Sequence, residues 1–227
     1  VPVTLLKISL VSFKPWSALK QGTTYDWAQF YHEFIDLLYR TDWKFDKKHA
    51  ASVKVFYLQL PNEDLQIRCE TKFSKISVKQ LVEYFLIIDK RMAWEGSHLY
   101  ASIEEVKSYP LNTSLYYFKQ QQRQWLTSAQ DLLLLTMAFN LAETDSTSLE
   151  LQLSIVSFNQ VINQPLASQS VFKYFEATTD GKGVKNTYVT TIPKKDGLFT
   201  GSVAQSTIAD YVQGVVNLKK LLDRREM

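Results

Sequence analysis

The sequence has 227 residues, 45% hydrophobic, 13% aromatic and 22% charged, a globular composition long enough to bury a sizeable core and too apolar for disorder. Twenty-six Lys and Arg against 23 Asp and Glu leave a net charge of +3, too slight for the basic stripe of a nucleic-acid-binding protein. Cys69 is the one cysteine, so no intrachain disulfide forms, and neither a GxxxxGK[ST] nor a GxGxxG loop occurs among only seven glycines. The longest apolar runs, Leu81–Ile88 and Leu132–Leu141, are far shorter than the roughly 20 residues of a membrane-spanning helix. Val1 opens the sequence without a methionine, as expected of a processed form or a piece of a longer chain.

Residues 1–24 read as an amino-terminal arm or processed segment. Val1–Leu19 is apolar with Lys7 and Lys14 and no acid, which suits either an organellar or interfacial segment or an arm packed on the body or on a protein partner. From Tyr25 to Tyr39, Trp27, Phe30, Tyr31, Phe34 and Leu38 recur at helical spacing and predict an amphipathic helix. After the charged stretch Lys44–His49 the period changes to two. Leu65, Ile67, Cys69, Thr71 and Phe73 alternate with polar residues, and Val53–Leu60 is the expected antiparallel partner across a turn at Pro61–Asp64. Ser77 and Gln80 form a capping-box signature for a short helix that ends near Asp89.

Strand-like runs follow at His98–Ser108, Leu115–Gln120, Leu132–Ala142, Leu149–Phe158 and Val171–Thr178. A turn at Asp180–Gly183 leads into Asn186–Ile192. The last segment, Ser202–Arg225, sets Ile208, Tyr211, Val212, Val215, Leu218 and Leu222 on one side of the longest predicted helix. Lys219, Lys220, Arg224 and Arg225 in its final turns complement the helix dipole or form a membrane-contact patch.

Many antiparallel strands with few helices predict an α+β domain in which one curved sheet grips the terminal helix. Such a sheet can enclose a cavity. Both alternating faces of Asp131–Ala142 are largely apolar, a pattern that a lipid pocket and an ordinary packed core produce alike.

Three short segments carry a resemblance over Trp27–Leu222. Lys90-Arg91-Met92-Ala93-Trp94-Glu95 is similar to an R-x-x-W-D pattern, with Glu for Asp. Ser128-Ala129-Gln130-Asp131 resembles an S-P-R-D-F segment that has kept Ser and Asp, and Gly197-Leu198-Phe199 resembles a G-W-[IA]-P helix entry with Leu for Trp. In this order they resemble the START domain, the steroidogenic-acute-regulatory-protein-related lipid-transfer family of the helix-grip superfamily. The resemblance implies a curved antiparallel sheet wrapped around a long C-terminal helix, an N-terminal helix and a short helix after the first strands, all within residues 25–227.

It also implies a bound lipid as ligand, a sterol, phospholipid or ceramide-like molecule, and transient contact with a membrane surface. Sterol-binding members set a carboxylate against an arginine inside the pocket, and the corresponding places here are Tyr117 and Thr136, both neutral. Leu132, Leu134, Thr136, Ala138 and Asn140 are the expected lining on one strand. Gln152 and Ser154 follow on the next strand, Gln152 near the place of an amide in ceramide-binding members, and Tyr211 and Val215 come from the terminal helix. Asn159–Ser170 occupies the place of the family's mobile loop, and reads as a gate or a plain crossover.

No catalytic residue, metal ligand or cofactor is expected. His32, His49 and His98 are widely spaced, Glu104–Glu105 reads as a solvated edge, and no G-x-S-x-G elbow is present. Trp94 and Glu95 read as core contacts, and Arg123 with Trp125 as an exposed corner or a hydrated turn. The protein is therefore expected to be a lipid carrier and no enzyme, cytoplasmic or peripheral to a membrane, or mitochondrial or otherwise organellar if the arm is an address. The rival expectation is a START-like structural or accessory subunit with little lipid exchange.

Overall fold

The computed structural model describes residues 5–8, 23–26, 32, 35–62, 64–96, 99–109, 113–121, 130–140, 147–159, 165–166, 169–192 and 200–224. The chain forms two compact units, Val1–Asp42 and Trp43–Met227. In the first, β1 (Leu5–Ile8) pairs antiparallel with β2 (Thr23–Asp26), Leu6 opposite Tyr25, and residues 35–39 are helical. The helix predicted from Tyr25 thus gives way at its start to a strand, because Tyr25 and Asp26 belong to the β1–β2 ladder. Trp27, Phe30, Tyr31 and Phe34 lie outside the described residues.

The second unit is built on one antiparallel sheet. Its strands are β3 (Lys44–Lys48), β4 (Lys54–Gln59), β5 (Leu65–Ser74), β6 (Tyr100–Tyr109), β7 (Thr113–Gln120), β8 (Gln130–Asn140), β9 (Thr147–Asn159), β10 (Pro165–Leu166), β11 (Gln169–Ala177) and β12 (Gly183–Ile192). They run in the order β3-β4-β5-β12-β11-β9-β8-β7-β6, with β10 paired to β9. Register breaks between Phe45 and Lys47, Tyr100 and Ser102, Glu105 and Lys107, and Leu133 and Leu134 supply bulges, which bend and twist the strands of the curved sheet.

The expected hairpin of Val53–Leu60 with Leu65–Phe73 is β4–β5, and Ile67, Cys69, Thr71 and Phe73 form its buried row. The charged stretch at Lys44 is itself a strand, β3. All five of its residues are exposed, so no alternation marked it in the sequence.

Helix α1 (Val78–Leu86) starts on the predicted capping box. Ser77 Oγ accepts from Gln80 N at 3.2 Å, and Ser77 N donates to Gln80 Oε1 at 3.1 Å. Ile87, extended at φ −83° and ψ 118°, breaks the helix, and α2 (Ile88–Glu95) follows at once. The sequence hid α2 because its start has no side-chain cap. Tertiary bonds hold it instead, among them Trp94 Nε1 donating to Tyr84 O at 2.9 Å.

The chain ends in α3 (Thr200–Asp223), whose Ile208, Val215 and Leu218 pack on the β4–β5–β12 face of the sheet with Val55, Ile67, Cys69 and Phe73. The helix entry Gly197–Phe199, residues Ser128–Ala129, Arg123, Trp125 and His98 lie outside the described residues. Of the Asn159–Ser170 loop, residues 160–164 and 167–168 do so too, while Pro165 and Leu166 pair with Phe158 and Ser157.

The β11–β12 hairpin turns at Gly181 (φ 66°), with Asp180 Oδ1 accepting from Thr178 Oγ1 and Lys182 N. Gly183 then packs against β5 so closely that a Cβ would sit 2.3 Å from the Phe73 carbonyl oxygen, a backbone atom with no freedom to swing aside. Gly183→Ala is expected to cost about 1–3 kcal/mol in urea unfolding through this overpacking. A loss below about 0.5 kcal/mol, the usual scatter of surface substitutions, would contradict the close approach.

Candidate functional site

A cavity of about 210 Å³ lies between α3, α2 and the strands. Helical spacing puts Tyr211, Gly214, Val215 and Leu218 on one wall, because residues three and four apart share a face. By the same geometry α2 presents Arg91, Trp94 and Glu95. The sheet contributes Leu134 from β8, Val171 and Lys173 from β11 and Tyr188 from β12. Tyr188 opposes Lys173 in the β11–β12 register and so shares its face.

Three charged groups of this wall, Arg91, Glu95 and Lys173, are buried, and Asp210 of α3 lines it half-buried. Arg91 Nε donates to Glu95 Oε2 at 2.5 Å, both residues 5% exposed, and Arg91 Nη1 donates to Phe85 O at 3.4 Å. The guanidinium also lies 4.8 Å from the centre of the Phe118 ring. Lys173, likewise 5% exposed, sets its Nζ 4.9 Å over Phe85.

The tyrosines supply neutral hydroxyls. Tyr211 stacks on Tyr188 with ring centres 4.6 Å apart, and its hydroxyl donates to Asn186 Oδ1 at 2.7 Å. Burial pushes the phenols of Tyr100, Tyr188 and Tyr211 well above the ordinary tyrosine range, so all three remain protonated donors at neutral pH. Burial likewise raises the Cys69 thiol and keeps it neutral.

The predicted lining residues fall into three groups. Leu134, Tyr211 and Val215 meet at the cavity. Thr136 is buried on β8, and its hydroxyl has no hydrogen-bond partner among the described residues; Ala138 is half-buried on the same strand. The side chains of Leu132, Asn140, Gln152 and Ser154 lie outside the described residues, although the ladder sets Gln152 opposite Thr136 and Ser154 opposite Leu134.

Tyr117 is not set against Thr136. It opposes Leu133, whereas Ser114 opposes Thr136 and Tyr116 opposes Leu134, so Tyr117 lies on the other face of the sheet from Leu134. Alternation makes a one-residue displacement sufficient for this, and Tyr116 takes the inner place beside Phe118.

The cavity is also more polar than the two neutral strand positions implied. Its ion pair comes from helix α2, in the R-x-x-W-D-like segment read in sequence as core contact. Trp94 and Glu95 are indeed buried, and they line the cavity as well. Lys173 had gone unremarked. Its signal is a cation on the inward row of β11, between Val171 and Phe175, where alternation calls for an apolar side chain.

Among the described residues no group of three or more His, Cys, Asp or Glu side chains is placed to hold a metal ion, and no helix is long and apolar enough to cross a membrane.

No protein-family model matches the sequence, and no curated protein matches it either. Similarity appears in three dimensions. Human StAR-related lipid transfer protein 5 superposes with a TM-score of 0.66 at 12% identity, over 88% of this chain and 96% of that one. Human STARD10 gives 0.63 at 14% identity over 87% and 82%, and the lipid transfer and protein localization domain of human StarD13 gives 0.61 at 10% over 85% and 94%. An antiparallel curved sheet closed by a C-terminal helix, shared with these proteins over nearly the whole chain, is the START-type helix-grip fold.

Proposed function

We propose that this domain binds a single lipid beneath α3 and carries or presents it at a membrane surface without a chemical step. The observation that supports this reading is the mixed lining of the cavity. Leu134, Val171, Val215 and Leu218 are apolar, and Arg91, Glu95, Lys173 and Asp210 are charged, a combination that suits an amphiphile with a tail and a head. The structural neighbour StAR-related lipid transfer protein 5 is by its name a lipid transfer protein, which points the same way.

Enclosure is sufficient for a carrier. Moving an acyl chain of about 16 carbons through water costs roughly 12 kcal/mol at about 0.8 kcal/mol per CH₂, and a dry cavity removes that barrier. At about 210 Å³ the cavity lies below the roughly 300–1,000 Å³ of small-molecule sites, so a whole sterol or diacyl lipid enters only with α3 displaced. Polar ties of α3 would then have to yield, among them Gln205 Nε2 to Tyr57 Oη at 3.3 Å, Tyr211 to Asn186, Asn217 Nδ2 to Trp94 O at 3.2 Å, and Lys219 Nζ to Ala51 O at 2.9 Å. The same small volume favours a second reading, a START-like accessory subunit whose interior is filled mainly by side chains.

The deciding experiment combines native mass spectrometry of freshly purified protein with transfer of fluorescent sterol and phospholipid between vesicles. A carrier contains lipid and moves it, and Leu134→Trp, which fills the cavity from β8, abolishes uptake while the far-ultraviolet circular dichroism stays unchanged. Transfer that survives Leu134→Trp rejects this cavity as the lipid site. Protein free of lipid and inert in transfer supports the accessory-subunit reading.

A further inference from the structure

The two edges of the large sheet carry charge of opposite sign. β3 closes one edge, and three of its five exposed residues are lysines, Lys44, Lys47 and Lys48, against Asp46. β6 closes the other, with Glu104 and Glu105 against Lys107. Directly opposite Lys48 in the ladder stands Lys54 of β4, also exposed. Like charges set opposite each other destabilise a strand pair, so folding alone does not favour this placement. Glu70 of β5 faces Lys54 from the next strand, but it is engaged by Arg68 Nε at 2.9 Å and by Lys185 Nζ at 3.8 Å. The side chains of Lys44, Lys47, Lys48 and Lys54 make no hydrogen bond or ion pair among the described residues.

The break in register at Asp46 fixes the faces. Phe45 opposes Phe56 and shares its face with Lys48 and Lys54, whereas Lys44 and Lys47 oppose Tyr57 and Val55 on the face that packs toward α3. A flat surface that approaches the sheet edge-on meets both rows, because among the described residues no strand lies beyond β3 and all five of its residues are exposed. Lysines on an edge strand also discourage pairing with other chains, but that role calls for no exposed ring. Phe45 is 59% exposed, one of three large apolar side chains so placed among the described residues, and its ring meets Phe56 edge-on with centres 5.5 Å apart.

An added strand is a poor occupant of this edge, since the bulge at Asp46 interrupts the row of backbone groups it would pair with. A ring rimmed by lysines matches the interface of an anionic bilayer, where the ring enters the acyl boundary and the ammonium groups stay among the headgroups. We propose that the β3–β4 hairpin is the surface by which this domain docks on an anionic membrane. Docking here serves the carrier reading, on which it rests for its purpose. The turn at Ala51–Ser52 touches the end of α3, with Lys219 Nζ donating to Ala51 O at 2.9 Å, so a bilayer at the hairpin lies beside the helix that has to move.

Co-flotation of the whole chain with vesicles of phosphatidylcholine, and of equimolar phosphatidylcholine and phosphatidylserine, measures the docking at low and at high salt. Binding should require phosphatidylserine and weaken as salt screens the lysines. Lys48→Gln/Lys54→Gln should weaken it by at least about tenfold, or about 1.4 kcal/mol. Phe45→Ser should weaken it too and leave the salt dependence in place, since the ring carries no charge. Lys79→Gln/Lys182→Gln removes the same two charges from exposed positions on α1 and in the β11–β12 turn, and should bind like the parent. Every replaced side chain is exposed, so each variant should melt like the parent. The proposal is overturned if the parent does not float with phosphatidylserine, if Lys48→Gln/Lys54→Gln or Phe45→Ser floats as well as the parent, or if Lys79→Gln/Lys182→Gln loses as much. Cargo is read separately by native mass spectrometry. Protein that floats but holds no lipid keeps the docking surface and loses the carrier reading, and protein that holds lipid but does not float loses the docking surface alone.

Discussion

Glu95→Ala is expected to lower the stability of the domain by about 3–5 kcal/mol, the cost of leaving one member of a buried ion pair without its partner. Arg91 would lose its carboxylate partner at 5% exposure, and neither its distant bond to Phe85 O nor the face of Phe118 carries a charge to offset its own. The measurement is urea unfolding at neutral pH, repeated at high salt. Because the pair is shielded from solvent, added salt should leave the difference nearly intact. A companion variant isolates the cause. Arg91→Met/Glu95→Leu removes both charges and keeps apolar bulk, and should lie within a kcal/mol or two of the parent, about neutral by precedent for buried pairs. A loss under about 1 kcal/mol for Glu95→Ala would mean the pair behaves as a surface contact and α2 does not wall a dry space.

That pair shows where the sequence was legible and where it was not. The segment Arg91–Glu95 stands out in sequence, and an i,i+4 spacing already joins its two charges on one helical face. Its role as cavity wall depends on α2 being a helix at all, and the break at Ile87 lies inside an apolar run whose periodicity gives no warning. Strands with one buried row were easier to read. Ile67, Cys69, Thr71 and Phe73 betray β5 by alternation, whereas β12, buried on both faces from Val184 to Thr190, shows alternation only weakly. The all-exposed β3 shows none, and only its ladder with β4 defines it.

The site was legible in proportion to how directly each residue follows from its own element. Tyr211 and Val215 come from the spacing of α3, and Leu134 from the alternation of β8. Tyr117 required a count across the connection between two strands, and one residue of displacement moves a side chain through the sheet. Gln152 and Ser154 stand opposite Thr136 and Leu134 in the ladder, just past its irregularity between Leu133 and Leu134. Lys173 was hidden by convention rather than by geometry: a strand lysine is ordinarily assigned to solvent, and here it is capped by the Phe85 ring.

Leu218→Ala carries the other large effect, and it bears on function as well as stability. Leu218 is fully buried, belongs to the main core and also lines the cavity beneath α3, so truncation removes packed atoms and enlarges an existing space in one step. Delipidated protein should lose about 2–5 kcal/mol, the range for a buried leucine whose surroundings do not collapse. The lipid reading adds a second expectation that simple core damage does not share. An amphiphile able to occupy the enlarged space stabilises the folded state by mass action, about 2.7 kcal/mol at a hundredfold excess over its dissociation constant. Thermal melts of the delipidated variant with and without micellar lysophosphatidylcholine measure that recovery, with Leu58→Ala, a core truncation away from the cavity, as the control. Recovery confined to Leu218→Ala would tie the core and the lipid space to the same helix face. Equal recovery in both variants, or none in either, would mean that α3 closes over packed side chains and that the interior is not a lipid site.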